Sequence, residues 1–117
     1  MSFTVLGIPN CDSVKKARVF LQSREVDFVF RDLRKEPLSA EEWRALVDQD
    51  EHGVLINTRS PTFRKTGVAK DTLSDPQVCV DLLLQAPTAM KRPAVLKDGQ
   101  LKTVGFNEAT LSELLES

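Results

Sequence analysis

The sequence predicts an α/β fold. A mixed four-stranded sheet is expected, in the order β-α-β and then β-hairpin-α, with a helical insertion between the halves. Three observations carry this. Residues 3–30 give strand, helix and strand signals in turn, and a crossover of that length makes the two strands parallel. Residues 94–104 read as two strands about an Asp-Gly turn, with a helix after them. Between them lies a helical middle, approximately residues 38–86.

Each element has a local reason. Phe3 to Ile8 (FTVLGI) is short, apolar and β-prone, as a buried strand is. Pro9-Asn10 ends it. Asp12 or Ser13 is the expected cap of a helix whose apolar positions are Val14, Ala17, Val19, Phe20 and Leu21. Val26 to Phe30 is the expected second strand. Ser39 followed by Glu42 is a capping box, with Trp43, Leu46 and Val47 as the stripe behind it. Leu55 to Pro61 reads as a turn or short helix start, and Gly67 as a helix end. Ser74-Asp75-Pro76 opens a helix that buries Val78, Leu82 and Leu83 and stops before Pro87. Ala94 to Leu96 and Leu101 to Val104 flank Lys97-Asp98-Gly99-Gln100. Asn107 caps a final helix carrying Leu111, Leu114 and Leu115. This order resembles a thioredoxin-like fold with an insertion, and at 117 residues a single domain, 1–117, is expected.

Composition narrows the chemistry. The chain has 16 Lys+Arg and 17 Asp+Glu, a formal net charge of -1, which argues against bulk electrostatic binding of nucleic acid. One histidine and two cysteines cannot build a four-cysteine or two-cysteine, two-histidine zinc site, nor a disulfide framework. No apolar run is long enough to span a bilayer, and the N-terminal residues do not read as a signal peptide. The expected compartment is the cytoplasm, where thiols stay reduced.

The question is then whether either thiol reacts. Cys11 follows a strand, in a proline-containing loop, at or next to a helix N-terminus. Unpaired N–H groups and the helix dipole there favour an anion, and hence the thiolate. Lys15 and Lys16 add positive charge one turn on. The run Cys11-Asp12-Ser13-Val14 is not C-x-x-C, so no local dithiol cycle is available. Ser13 could donate to a thiolate or cap the helix. Cys79 lies inside an amphipathic helix, where it reads as packing unless it reaches Cys11 as a resolving thiol. Arg92-Pro93 precedes a strand. X-Pro bonds are the usual cis peptides, and Arg92 there could clamp an anion or form a solvated basic pair with Lys91. Arg59 reads as a surface charge or an anion contact, and His52 as an exposed loop histidine.

The stretches Thr4–Ala17, Leu55–Ser60, Lys91–Leu96 and Val104–Glu108, in that order, resemble the ArsC/Spx family over nearly the whole chain, and within it the YffB branch of arsenate reductase-like proteins. The resemblance implies a thioredoxin-like fold and places Cys11 at the nucleophile position of glutathione/glutaredoxin-coupled arsenate reductases. It matches Arg59 and Arg92 to two oxyanion-holding arginines, and Arg92-Pro93 to a step expected to be cis. Ser13 and Lys15 fall beside the nucleophile. It implies a glutathione-dependent thiol/disulfide reductase with no bound cofactor and no metal, using glutathione as co-substrate or a glutaredoxin-type thiol as partner. An alternative is a non-enzymatic Spx-like regulator that binds a protein such as RNA polymerase; another is arsenate reduction proper. Neither direct nucleic-acid binding nor a membrane is expected. The chain departs from the family in three places. No arginine stands near Val104-Gly105-Phe106, Gly7-Ile8 occupies the place of a histidine, and Val14 stands where Spx regulators carry their second cysteine.

Overall fold

The computed structural model describes residues 2–116. These form two compact units. One comprises the chain up to Asp32 and again from Arg92; the other is Leu33–Lys91. The expected insertion, approximately 38–86, falls inside the second.

The first unit carries the sheet. Strand β1 (Phe3–Gly7) is followed by helix α1 (Asp12–Ser23) and strand β2 (Phe28–Asp32). After the second unit come β3 (Ala94–Lys97), β4 (Gln100–Val104) and the final helix, Glu108–Glu116. The strand order is β2-β1-β3-β4. β1 runs parallel to β2, and the β1/β3 and β3/β4 pairs are antiparallel, so the sheet is mixed. On one sheet face Phe3, Val5 and Val95 pack with Ala17, Phe20 and Leu21 of α1 and Leu111 of the last helix. The β3–β4 loop is two residues long, with φ of 53° at Asp98 and 81° at Gly99, the backbone that a twisted hairpin needs. Asn107 caps the last helix by accepting from the Thr110 N–H at 3.0 Å.

The second unit is helical. Helix α2 (Ala40–Gln49) starts at a complete Ser39–Glu42 capping box, and α3 (Pro61–Thr66) starts at Ser60. Helix α4 (Pro76–Gln85) starts at Asp75 with proline in its first turn. The last helix, Glu108–Glu116, is therefore α5. Two short 3-10 turns, Lys70–Ser74 and Pro87–Ala89, flank α4. α2 packs on α4, burying Trp43, Leu46, Val80 and Leu83. Gly67 ends α3 in the left-handed region at φ 73°.

Four expectations change. Neither Asp12 nor Ser13 caps α1: both are already helical, and Cys11, in extended backbone, is the N-cap residue. Val19 is not on the buried face but 62% exposed, because it sits about 140° round the helix from Val14. In α4, Cys79 and Val80 are buried with Leu82 and Leu83, while Val78 is half-buried. β2 begins at Phe28 rather than Val26, for a reason set at the end of α1. The Val26 N–H donates to the Leu21 carbonyl and the Glu25 N–H to the Gln22 carbonyl, both at 3.0 Å. This is a Schellman stop, and it occupies Val26 before the strand can start. Among the described residues no helix is long and apolar enough to cross a membrane.

The Schellman stop places Glu25, not a glycine, at φ 57°. Glu25→Gly is therefore expected to stabilise the protein by about 1 kcal/mol, read as a higher denaturant midpoint at unchanged slope. Gly7 has the opposite constraint. A Cβ there would stand 2.6 Å from one Val14 methyl carbon and 3.3 Å from the other, and Val14 is fully buried. Gly7→Ala is expected to cost about 1–3 kcal/mol. Combined with Val14→Ala it should cost less than the sum of the single changes; strict additivity in a double-mutant cycle would contradict the contact.

Candidate functional site

β1 places the candidate nucleophile. It runs to Gly7, and a short loop through Pro9 and Asn10 delivers Cys11 to the first turn of α1. The Cys11 carbonyl accepts the Lys15 N–H at 2.9 Å, which begins the helix. The Cys11 side chain accepts no cap hydrogen bond, so no side chain closes this helix end. Its thiol is half-buried and free. Ser13 is half-buried in the same turn, and Lys15 is exposed one turn from the thiol. The opening N–H groups and the helix dipole give this position a positive potential.

Sheet register brings a second piece to the same place. Leu6 of β1 pairs with Ala94 of β3, so Arg92-Pro93 stands at the sheet end where β1 leaves for Cys11. The Arg92-Pro93 peptide is cis. Pro93 is fully buried and its carbonyl accepts the Gly105 N–H at 2.8 Å. Arg92 is half-buried, and its guanidinium forms no ion pair among the described residues. Because β4 is antiparallel to β3, Gly105 and Phe106 emerge at this end too. A mixed sheet gathers chemistry at the carboxyl ends of its parallel strands, and this end is that one.

Arg59 belongs to the second unit. Its turn is locked by neighbours: the Arg59 N–H donates to Asn57 Oδ1 at 3.2 Å, and Ser60 Oγ donates to the Asn57 carbonyl at 2.8 Å. Ser60 Oγ in turn accepts the Phe63 N–H at 3.1 Å. The guanidinium is exposed and in no ion pair among the described residues. His52 is an exposed loop residue. Asp50, which the sequence shows only as one of several crowded acids, organises the approach to this turn. Its carboxylate accepts the Val54 and Leu55 N–H groups at 2.9 and 3.0 Å. Residues 55–57 then pair with 89–91 through Leu55, Asn57, Ala89 and Lys91 backbone bonds.

Cys79 has the opposite environment from Cys11. It is 8% exposed, and its Sγ donates to the Leu73 carbonyl at 3.1 Å. Burial pushes its thiol up from the ordinary value, and the Asp50 and Asp75 charges push the same way, against a smaller opposing effect of its backbone hydrogen bond. It is held as a protonated thiol. Among the described residues no cluster of three or more His, Cys, Asp or Glu is placed to hold a metal. Thiol counting with an aromatic disulfide reagent should therefore find one rapidly reacting thiol in the native protein and two after denaturation. The slow thiol should survive Cys11→Ser and vanish in Cys79→Ala, and its rate should climb as pH rises beyond the ordinary thiol range, since only the thiolate reacts. Two equally fast thiols in the folded protein would contradict the assignment.

Comparison with known proteins agrees with this architecture. The ArsC family profile matches residues 6–114. The chain is 35% identical over 114 residues to the global transcriptional regulator Spx of Enterococcus faecalis, covering 96% of this chain and 85% of that one. Its structure is similar to that of a protein described as YFFB, with a TM-score of 0.82 at 26% identity, covering 95% and 96% of the two chains. It is also similar to an arsenate reductase (ArsC) related protein from Brucella melitensis, with a TM-score of 0.75 at 36% identity, covering 100% and 97%. The sheet order, the cis Arg92-Pro93 step and the Cys11 loop thus sit on the thioredoxin-like fold of these proteins, and the chain belongs to the ArsC family.

Proposed function

We propose that the chain is a glutathione-dependent thiol/disulfide oxidoreductase with Cys11 as its nucleophile. The observation that carries this is Cys11 as the N-cap residue of an otherwise uncapped helix, on the sheet end that also holds Arg92 and the cis Pro93. A core cysteine needs no such place, and Cys79 shows what a core cysteine looks like here.

The cycle uses one protein thiol. The Cys11 thiolate attacks the glutathione sulfur of a mixed disulfide R–S–S–G. The Cys11–S–S–G bond forms, the S–S bond of R–S–S–G breaks, and R–S⁻ leaves as a thiolate that takes up a proton. A free glutathione thiolate then attacks the Cys11-bound glutathione sulfur, which forms oxidised glutathione and releases the Cys11 thiolate. R–S–S–G is reduced by two electrons in all, and glutathione is oxidised. A thiol from outside the chain is required, because Val14 stands three residues on and Cys79 is buried and protonated. Arg92 supplies a planar cation for a carboxylate of glutathione or for an oxyanion; a further anion-binding role for Arg59 rests on the family resemblance alone. Arsenate as substrate is less well supported, because Val104-Gly105-Phe106 offers no third arginine.

A second reading is a regulator that works by binding a protein, with RNA polymerase as the partner the Spx resemblance implies. The 35% identity to a protein named a global transcriptional regulator favours it.

Mass spectrometry of the reduced protein after incubation with oxidised glutathione should show one glutathione adduct. Cys11→Ser should show none. In turnover of a glutathione mixed disulfide, Arg92→Ala and Arg59→Ala should each lower kcat/KM by about tenfold, mainly through KM. No adduct and no turnover, together with stoichiometric capture of purified RNA polymerase, would replace the enzyme reading with the regulator.

A further inference from the structure

We propose that the exposed flank of α1, together with Phe106, is a docking groove for the polypeptide that carries the disulfide. Its preferred substrate is a glutathionylated protein segment with an acidic and then an apolar residue a few positions from its cysteine. The inference rests on Cys11 as nucleophile and adds the class of substrate.

The groove lies one turn beyond the nucleophile. Cys11 is the N-cap residue of α1, and Lys15 and Val19, four residues apart in that helix, lie on one stripe of it. A shallow depression beside this stripe is lined by Lys15, Lys16, Val19, Phe20, Phe106 and Glu108. Its floor is apolar. Val19 is 62% exposed although it is β-branched and apolar, and nothing in the helix requires it. Phe106 is half-buried and meets Phe20 edge-on, with ring centroids 6.5 Å apart at 67°. Phe106 is also anchored to the thiol's end of the sheet, since the Gly105 N–H beside it is bonded to the Pro93 carbonyl.

Its charge selects the partner. Lys15 and Lys16 are exposed, and neither is in an ion pair among the described residues. Against the one Glu108 carboxylate they leave the lining net positive. Distance sets the spacing. Eight residues of helix carry Val19 roughly 12 Å from Cys11 along the axis. An extended chain covers that in about four residues, at roughly 3.3 Å each. An acidic residue about two positions from the substrate cysteine therefore reaches the lysines, and an apolar residue about four positions away reaches Val19 and Phe106. Val19 lies about 12 Å along the helix axis from Cys11, beyond a small disulfide held there, so the apolar part of the groove discriminates only among polypeptides.

The test uses short peptides with a glutathionylated cysteine, a glutamate two residues on and a leucine four residues on. Exchanging the glutamate for lysine, or the leucine for serine, should each lower kcat/KM by about fivefold or more. Val19→Ser should erase the leucine–serine difference, yet leave turnover of the glutathione–cysteine mixed disulfide unchanged. A second arm needs no chemistry. A fluorescent form of the peptide with serine for cysteine should bind the wild type, and Lys16→Glu should weaken its binding about threefold or more. Added salt should weaken the wild-type complex as well. Equal rates across the peptides with normal turnover of the small disulfide would overturn the groove and leave the proposed function standing. Groove-dependent peptide binding without any thiol exchange would overturn the proposed function and keep the groove.

Discussion

The close approach of Gly7 to Val14 is the contact on which the placement of the thiol depends. β1 can pass this near the first turn of α1 only because position 7 lacks a Cβ. Val14 can fill the space only because it is apolar and fully enclosed. Strand end and helix start are thus clamped on either side of the loop that holds Cys11. The loop has little freedom left, and the N-cap backbone at Cys11 (φ −107°, ψ 126°) follows from where the two elements must meet. The same valine occupies the position three residues after the thiol. The residue that packs the loop is therefore also the reason that it holds one thiol rather than two.

This accounts for the different fates of the two cysteines. Both are free, and composition treats them alike. At Cys11 the helix presents unsatisfied N–H groups and its positive end, with two lysines one turn away. At Cys79 the chain presents apolar neighbours, a carbonyl acceptor and two carboxylates, all of which favour the neutral thiol. The second environment suppresses the thiolate, whereas the first leaves the thiol at an uncapped helix end. A single reactive thiol with an external resolving partner is the chemistry that this asymmetry supports.

Much of the fold is legible because its signals are local. The Ser39–Glu42 capping box, proline after Asp75, the Asp98-Gly99 turn and Asn107 ahead of Leu111 each act over a few residues, and each forms as its local chemistry dictates. The strand-helix-strand start and the hairpin-helix end survive intact as well. The departures are non-local. Val19 is apolar, and only the helix's orientation on the sheet shows that it faces outward. β2 starts late because a Schellman stop used a glutamate where sequence rules look for glycine. Cys11 as N-cap residue is hidden for a similar reason: Asp12 and Ser13 are better cappers by type, but β1 and Val14 fix where the helix begins.

By itself the sequence determined the order of elements, the absence of a local dithiol and the identity of the candidate residues, because these depend on residue type and near-neighbour spacing. Only the tertiary structure decided that Cys11 and Arg92-Pro93 share a sheet end, since that requires β1 and β3 to pair antiparallel across nearly ninety residues of chain. It also decided that Cys79 is sealed and that Asp50 holds the approach to the Arg59 turn. Hydrogen-bond register and burial are properties of surfaces brought together, and no window of sequence contains both sides of such a contact.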